Sequence, residues 1–440
     1  MRSSLAASIC VLFTAVAAGE DWWQFRGPTG DGVSQAKDLP IAWGGFQPPA
    51  WQATVPGQGW SSPIVIGDRI WLTSAEPLAL SAKEQAKKLA RGPSGGGLEF
   101  QVDAAVTLLA IEIDAASGEV LRQIELLTVD DPPAIHAANS YASPTPTTDG
   151  ERLYCHFGSL GTACLALKSG EVLWKRQLKF DEITGPGSSP ILAHGRLILP
   201  CDGADQQFVV ALDGVTGEIA WRTPRPPIEA TDDKLRRAFS TPLLIKHENR
   251  EQVIVPGARW AVAYDPADGS EQWRVDLGAG QHATVPRPVY QGGLVYLCTG
   301  YLKPRLVAIR VDGTGDVTDS HVAWEFDKQV PEISSPIVVG GEIYFVSGKG
   351  VLTCLDAATG KLQWQERIGG NYSASPLACG KRLYSTSEGG LTTVLAAGRE
   401  YRELARNELF GQTRASLAVC GDALLIRTHP VLYCIRSRSP

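Results

Sequence analysis

The sequence predicts an all-β fold, an eight-bladed β-propeller of four-stranded antiparallel blades, and three observations carry the prediction. A Ser/Thr-Pro step that opens an alternating apolar run recurs at Ser62-Pro63, Ser143-Pro144, Ser189-Pro190, Thr241-Pro242, Ser335-Pro336 and Ser375-Pro376. Arg287-Pro288 and the proline-less Ser416-Leu417 keep the pattern, and the successive intervals are 81, 46, 52, 46, 48, 40 and 41 residues. A second element alternates with the first: Asp-x-x-(Thr/Ser)-Gly with Trp four residues after the Gly, clearest from Asp213 to Trp221 and from Asp356 to Trp364. Finally, 46 Gly and 29 Pro spread along 440 residues exclude long helical bundles and coiled coils, which do not tolerate such frequent interruption.

In chain order, residues 1–19 carry Arg2, an apolar run from Leu5 to Ala18 and small residues at Ala15, Ala17 and Gly19, the layout of a cleavable export signal. The run is short for a bilayer span. Cys10 lies inside it behind Ile9, not after it behind a small residue, so no lipid anchor is expected. Residues 20–440 are then one propeller domain, soluble, monomeric, and periplasmic or extracellular, with no membrane insertion. A net charge of −6, one unit more negative once Arg2 is removed, argues against nucleic acid as a partner.

Each repeat reads strand, turn, strand, loop, strand, Asp-x-x-Thr-Gly turn, strand. Pro49 to Val55 precedes the first Ser-Pro step as a fourth strand without a third, while Leu432 to Ile435 ends the chain as a third strand without a fourth. Pairing the two completes the last blade and closes the ring. The long first interval holds an insertion at 75–106. Within it Ser81 and Glu84 have capping-box spacing and Gly92-Pro93 stops the run, which predicts a short helix with Ala82, Ala86 and Leu89 docked and Lys83, Lys87, Lys88 and Arg91 outward. Six of the 12 Trp, namely Trp51, Trp174, Trp221, Trp273, Trp324 and Trp364, are assigned to docking between blades.

Eight cysteines follow the leader without a CxxC or a vicinal pair, so zinc and haem sites have no support. Cys164, Cys354 and Cys434 share a repeat position held elsewhere by Ala211, Ala263 or Ala308, which reads as buried free thiols. Cys155 and Cys164 are the disulfide candidate, because a hairpin closing through Gly158 to Gly161 would set them opposite each other. His136, His156 and His282 are scattered, and Asp312, Asp316 and Asp319 read as a turn; no metal site is expected. No HExxH or phosphate-loop motif is present.

In such a blade the loop into the first strand and the loop from second to third emerge at one end, so eight pairs of loops ring the channel mouth. The ligand-binding candidates there are His136, Asn139, Tyr141, Asp202, Asp205, Arg259, Tyr301, Arg305, Asn371 and Tyr372. Counting Arg236, Arg237, Arg259, Arg287, Lys303, Arg305, Lys349 and Arg414 against Asp202, Asp205 and Glu388 gives a basic, aromatic mouth. Such a mouth suits an anionic or carbohydrate-like ligand, or a protein partner with an acidic segment.

The Ala-Leu-Asp-x-x-Thr-Gly-x-x-x-Trp unit at 211–221 resembles the repeat of the PQQ-like, or quinoprotein alcohol dehydrogenase-like, eight-bladed propellers, which include BamB-like assembly factors. The opening at 21–32, with 201–207 and 369–376, is similar to exported PQQ-repeat proteins of planctomycete type. The resemblance implies either of two functions. The expectation is an exported, non-catalytic binding or assembly scaffold with no cofactor, because the vicinal disulfide of the dehydrogenases is absent and insertion material is scarce. The alternative is a PQQ-dependent oxidoreductase, with PQQ and Ca²⁺ held at the mouth and Asp202 and Asp205 offering oxygens.

Overall fold

A computed structural model describes residues 21–45, 47–90, 99–301 and 303–437; the leader expected at 1–19 lies outside them. Eight antiparallel blades of four strands are present. Blade three shows the plan: Ile191–Ala193, Arg196–Asp202, Gln207–Asp213 and Ile219–Pro224, hydrogen-bonded in chain order from the axis outward. Trp51–Thr54 pairs antiparallel with Val431–Arg436, Trp51 opposite Cys434, and so completes blade eight as expected.

The turn between third and fourth strands explains the Asp-x-x-Thr-Gly signature. Asp213 Oδ1 accepts from the N–H groups of Val215 and Thr216 and from the Thr216 hydroxyl, which holds its carboxyl below the usual range. Gly217 takes φ +70°, and a Cβ there would lie 2.6 Å from the Trp174 ring of the preceding blade. Trp174 Nε1–H donates to Gly214 O at 3.0 Å. Three more indoles repeat this bond to the residue after the Asp position, Trp51 to Ala115, Trp221 to Pro266 and Trp324 to Ala357, and Trp364 donates one residue further on, to Gly398. Trp273 differs, donating to Gln252 Oε1 within its own blade, because the next turn is stretched and Gly315–Asp316 pairs alongside Trp273 and Arg274 instead.

The Ser/Thr of each opening step has a role no single repeat reveals. The Ser62 N–H donates to Thr145 Oγ1, Thr145 to Ser189, and Ser189 to Thr241. Beyond it Arg287 donates to Ser335, Ser335 to Ser375, Ser375 to Ser416, and Ser416 back to Ser62. Seven hydrogen bonds of 2.9–3.1 Å thus circle the axis, and the step from Thr241 meets Arg287, which has no hydroxyl. Blade two joins through Thr145-Pro146, not through the expected Ser143-Pro144.

Two further expectations are corrected. The register sets Cys155 opposite Ala163 and Cys164 opposite Tyr154, so the two cysteines leave the hairpin on opposite faces and are not bonded. Both ends of the insertion are strand: Arg69–Ala79 and Asp103–Asp114 run on together as far as Ala79 and Asp103, joined by Val120–Asp130. The helix forms at Ala82–Leu89 with its Ser81/Glu84 capping box, but Ala82 and Ala86 are exposed. Its anchor is Lys88, expected outward, whose Nζ donates to Asp103 O and Pro132 O and pairs with Asp131 at 2.6 Å.

The axis is filled by the segment 21–34. Trp22 bridges to Val65 in blade one, Trp23 O accepts from Thr148 in blade two, and Val33–Ser34 pairs parallel with Ala378–Cys379 in blade seven. Arg287 Nε donates to Pro242 O and its Nη1 to Phe25 O, while Arg26 Nη2 reaches Pro336 O. Burial with few carboxylates nearby lowers Arg26 to about 10 and Arg287 to about 9.

Candidate binding site at the channel mouth

The loops into blades five, six and seven and the second-to-third loops of those blades enclose a cleft of about 830 Å³. Lys303, Arg305 and Lys349 line it together with Asp327, Glu332 and Glu388, and Gln281, Gln329, Ile333 and Ser373 contribute polar and apolar wall. Burial raises the Glu332 carboxyl, with Lys349 opposing. Arg305 is braced by Glu325 at 2.5 Å, and Arg414 by a two-point pair with Glu388 at 2.9 and 3.1 Å.

Of the ten predicted residues, Arg305, Asn371 and Tyr372 line this cleft. Tyr372 is almost fully buried, whereas Tyr301 is 48% exposed on the rim and packs edge-on to His282. The others serve the scaffold. His136 pairs with Phe100 in a two-stranded extension, and its imidazole pKa is lowered by burial, then by Arg414. Asn139 Nδ2 donates to Thr184 O and Pro186 O, bracing neighbouring entry loops. Tyr141 is buried, with its hydroxyl on Pro133 O. Arg259 forks onto Asp276 at 2.8 and 3.1 Å.

The expected basic excess is therefore corrected. Arg236 pairs with Asp233, Arg237 is buried and donates to Glu182 O, and Arg259, Arg305 and Arg414 have carboxylate partners. Arg287 belongs to the axial plug. What faces the cleft is a balanced mixture of signs. Sequence reasoning missed Asp327, Gln329, Glu332 and Ile333, although their position just before Ser335-Pro336 marks them as an entry loop.

The carboxylates offered to Ca²⁺ under the dehydrogenase alternative are committed to the fold. Asp202 is 3% exposed; Arg225 Nε lies 3.3 Å away without a hydrogen bond, so burial wins and pushes the carboxyl up to about 6. Asp205 Oδ1 accepts from the Asp181 N–H. Among the described residues no group of three or more His, Cys, Asp or Glu is placed to hold a metal ion, and none of their helices is long and apolar enough to cross a membrane.

Residues 109–320 and 316–427 match a family described as Outer membrane protein assembly factor BamB. A tetrathionate hydrolase of Acidithiobacillus ferrooxidans is 27% identical over 200 residues, 42% of this chain and 36% of that protein; the match thus spans about a third of the relative's length. The crystal structure of BamB from Moraxella catarrhalis has a TM-score of 0.54 at 13% identity, covering 74% of this chain and 93% of that one. Quinohemoprotein alcohol dehydrogenase from Comamonas testosteroni has a TM-score of 0.53 at 14% identity, covering 96% and 81%. These structural likenesses concern the fold.

Proposed function

Because the chain belongs to the outer membrane protein assembly factor BamB family, we propose that it is an exported, non-catalytic scaffold that holds a polypeptide segment of a protein partner at the channel mouth. The observation that carries this reading is the cleft of about 830 Å³ lined by both Lys303 and Lys349 and both Asp327 and Glu332. A polypeptide offers both charge signs and a polar backbone, whereas an anionic or sugar ligand would leave one set of charges without a complement. Exposed Tyr301 and Ile333 at the rim supply the apolar contacts that anchor such partners.

An array of immobilised 15-residue peptides, probed with the purified chain, tests the reading. Peptides carrying both acidic and basic residues are expected to retain it, and the double variant Lys303→Glu/Glu332→Lys should lower their signal at least tenfold. Unchanged signals would remove the mouth from consideration. Thermal shift with PQQ plus Ca²⁺ is the companion measurement, and a large stabilisation there overturns the non-catalytic assignment in favour of the oxidoreductase.

A further inference from the structure

The interface between blades one and two departs from the docking rule. The position that carries the indole in other blades is Arg122, paired across the strands with Glu112 as Trp221 is with Ala211. Its guanidinium takes over the indole's bonds: Nη2 donates to Leu167 O at 2.6 Å, the carbonyl that corresponds to Gly214, and Nη1 lies over Gly170. Nε pairs with Glu112, whose side chain is only 6% exposed and is also approached by Arg69 Nε at 3.4 Å. One face of the guanidinium packs over the Trp71 ring, 5.3 Å from its centroid.

A guanidinium is thinner and smaller than an indole, and the interface stays open. A groove of about 730 Å³ lies over Arg122, walled by Ile66, Leu121 and Leu167. Arg69 lies beside Arg122, and Gly150, Glu151 and Lys168, in turns at the end away from the mouth, line its edge. Arg122 itself is 29% exposed and fixed in plane by Glu112 and Leu167, and Leu121 is 40% exposed.

We propose that this groove is a second binding site, independent of the mouth, that takes an aromatic side chain of a polypeptide partner. The ring would lie against the apolar wall and stack on Arg122, whose positive charge is attracted by the ring face. An indole is the best fit, since Trp offers the strongest cation–π face. Aliphatic side chains gain only the wall.

The test titrates methyl-labelled full-length protein with N-acetyl-L-tryptophanamide and, in parallel, N-acetyl-L-leucinamide. Saturable shifts at the Ile66, Leu121 and Leu167 methyls are expected with the tryptophan compound, at an affinity at least fivefold above that of the leucine compound. Arg122→Trp, which removes the guanidinium that the ring would stack on, should weaken the binding at least tenfold. Leu121→Glu, at an exposed position that tolerates charge, should weaken it as well and decides the matter if the first variant fails to fold. Absence of saturable shifts at these methyls, equal affinity for the two compounds, or undiminished binding by the variants overturns the proposal. The mouth variant Lys303→Glu/Glu332→Lys should leave this binding unaltered, which separates the two sites.

Discussion

Gly217 meets two demands at once, a left-handed backbone and room for the Trp174 ring at 2.6 Å. Gly217→Ala is therefore expected to cost about 3 kcal/mol, more than the roughly 1 kcal/mol of a simple glycine effect, measured as a fall in the denaturation midpoint. Glu182 makes a pH prediction. It is buried, accepts from the Ser159 N–H at 2.8 Å, and is pushed by desolvation up to about 7. Between its ordinary value of 4.5 and that figure the folded chain holds the proton more tightly than the unfolded chain, so this group lowers stability as pH rises through the window. Glu182→Gln should raise the melting temperature at pH 8 and change it little at pH 4.5; an equal gain at both would refute the assignment. Asp213 and Gly217 were legible in the sequence because their bonds close within five residues. Ser143 and Thr145 were not separable, because both precede proline and only the neighbouring blades select Thr145.

Closure of the ring rests on one short element, Trp51–Thr54, held by Val431–Arg436 and by the Trp51 bond to Ala115 in blade one. Trp51→Ala should cost about 3–5 kcal/mol. Deleting residues 20–55 also removes the axial segment and should abolish soluble, cooperatively melting protein; a stable truncation would disprove the closure. This strand was readable from the unmatched strands at the two ends of the chain. The extension of blade one was not, since residues 75–79 and 103–106 continue their strands through a pattern that breaks the repeat length, and periodicity alone gives no register for the added residues. Lys88 escaped for a related reason: its partners, Asp103 O and Pro132 O, lie 15 and 44 residues away.

For the molecule as a whole, hydrogen bonds that pass from blade to blade around the axis make each blade's integrity depend on its neighbours, and a single calorimetric transition is expected. The buried thiols report the same event. Desolvation pushes Cys434 up to about 11 and Cys164 and Cys354 up to about 12, so the seven buried free cysteines of the described residues should react with a thiol reagent together, as the fold is lost and without prior reduction. The mouth was readable as a location from blade topology, but its charge was not, because pairings such as Arg259 with Asp276 join a loop to a strand that the charge count omitted. Eight near-identical repeats would offer the axial segment eight interchangeable seats; by replacing one hydroxyl with a guanidinium that grips Phe25, Arg287 gives the wheel a keyway. The segment can then lock in a single rotational setting, and that setting delivers Trp51–Thr54 to the one blade that lacks a strand.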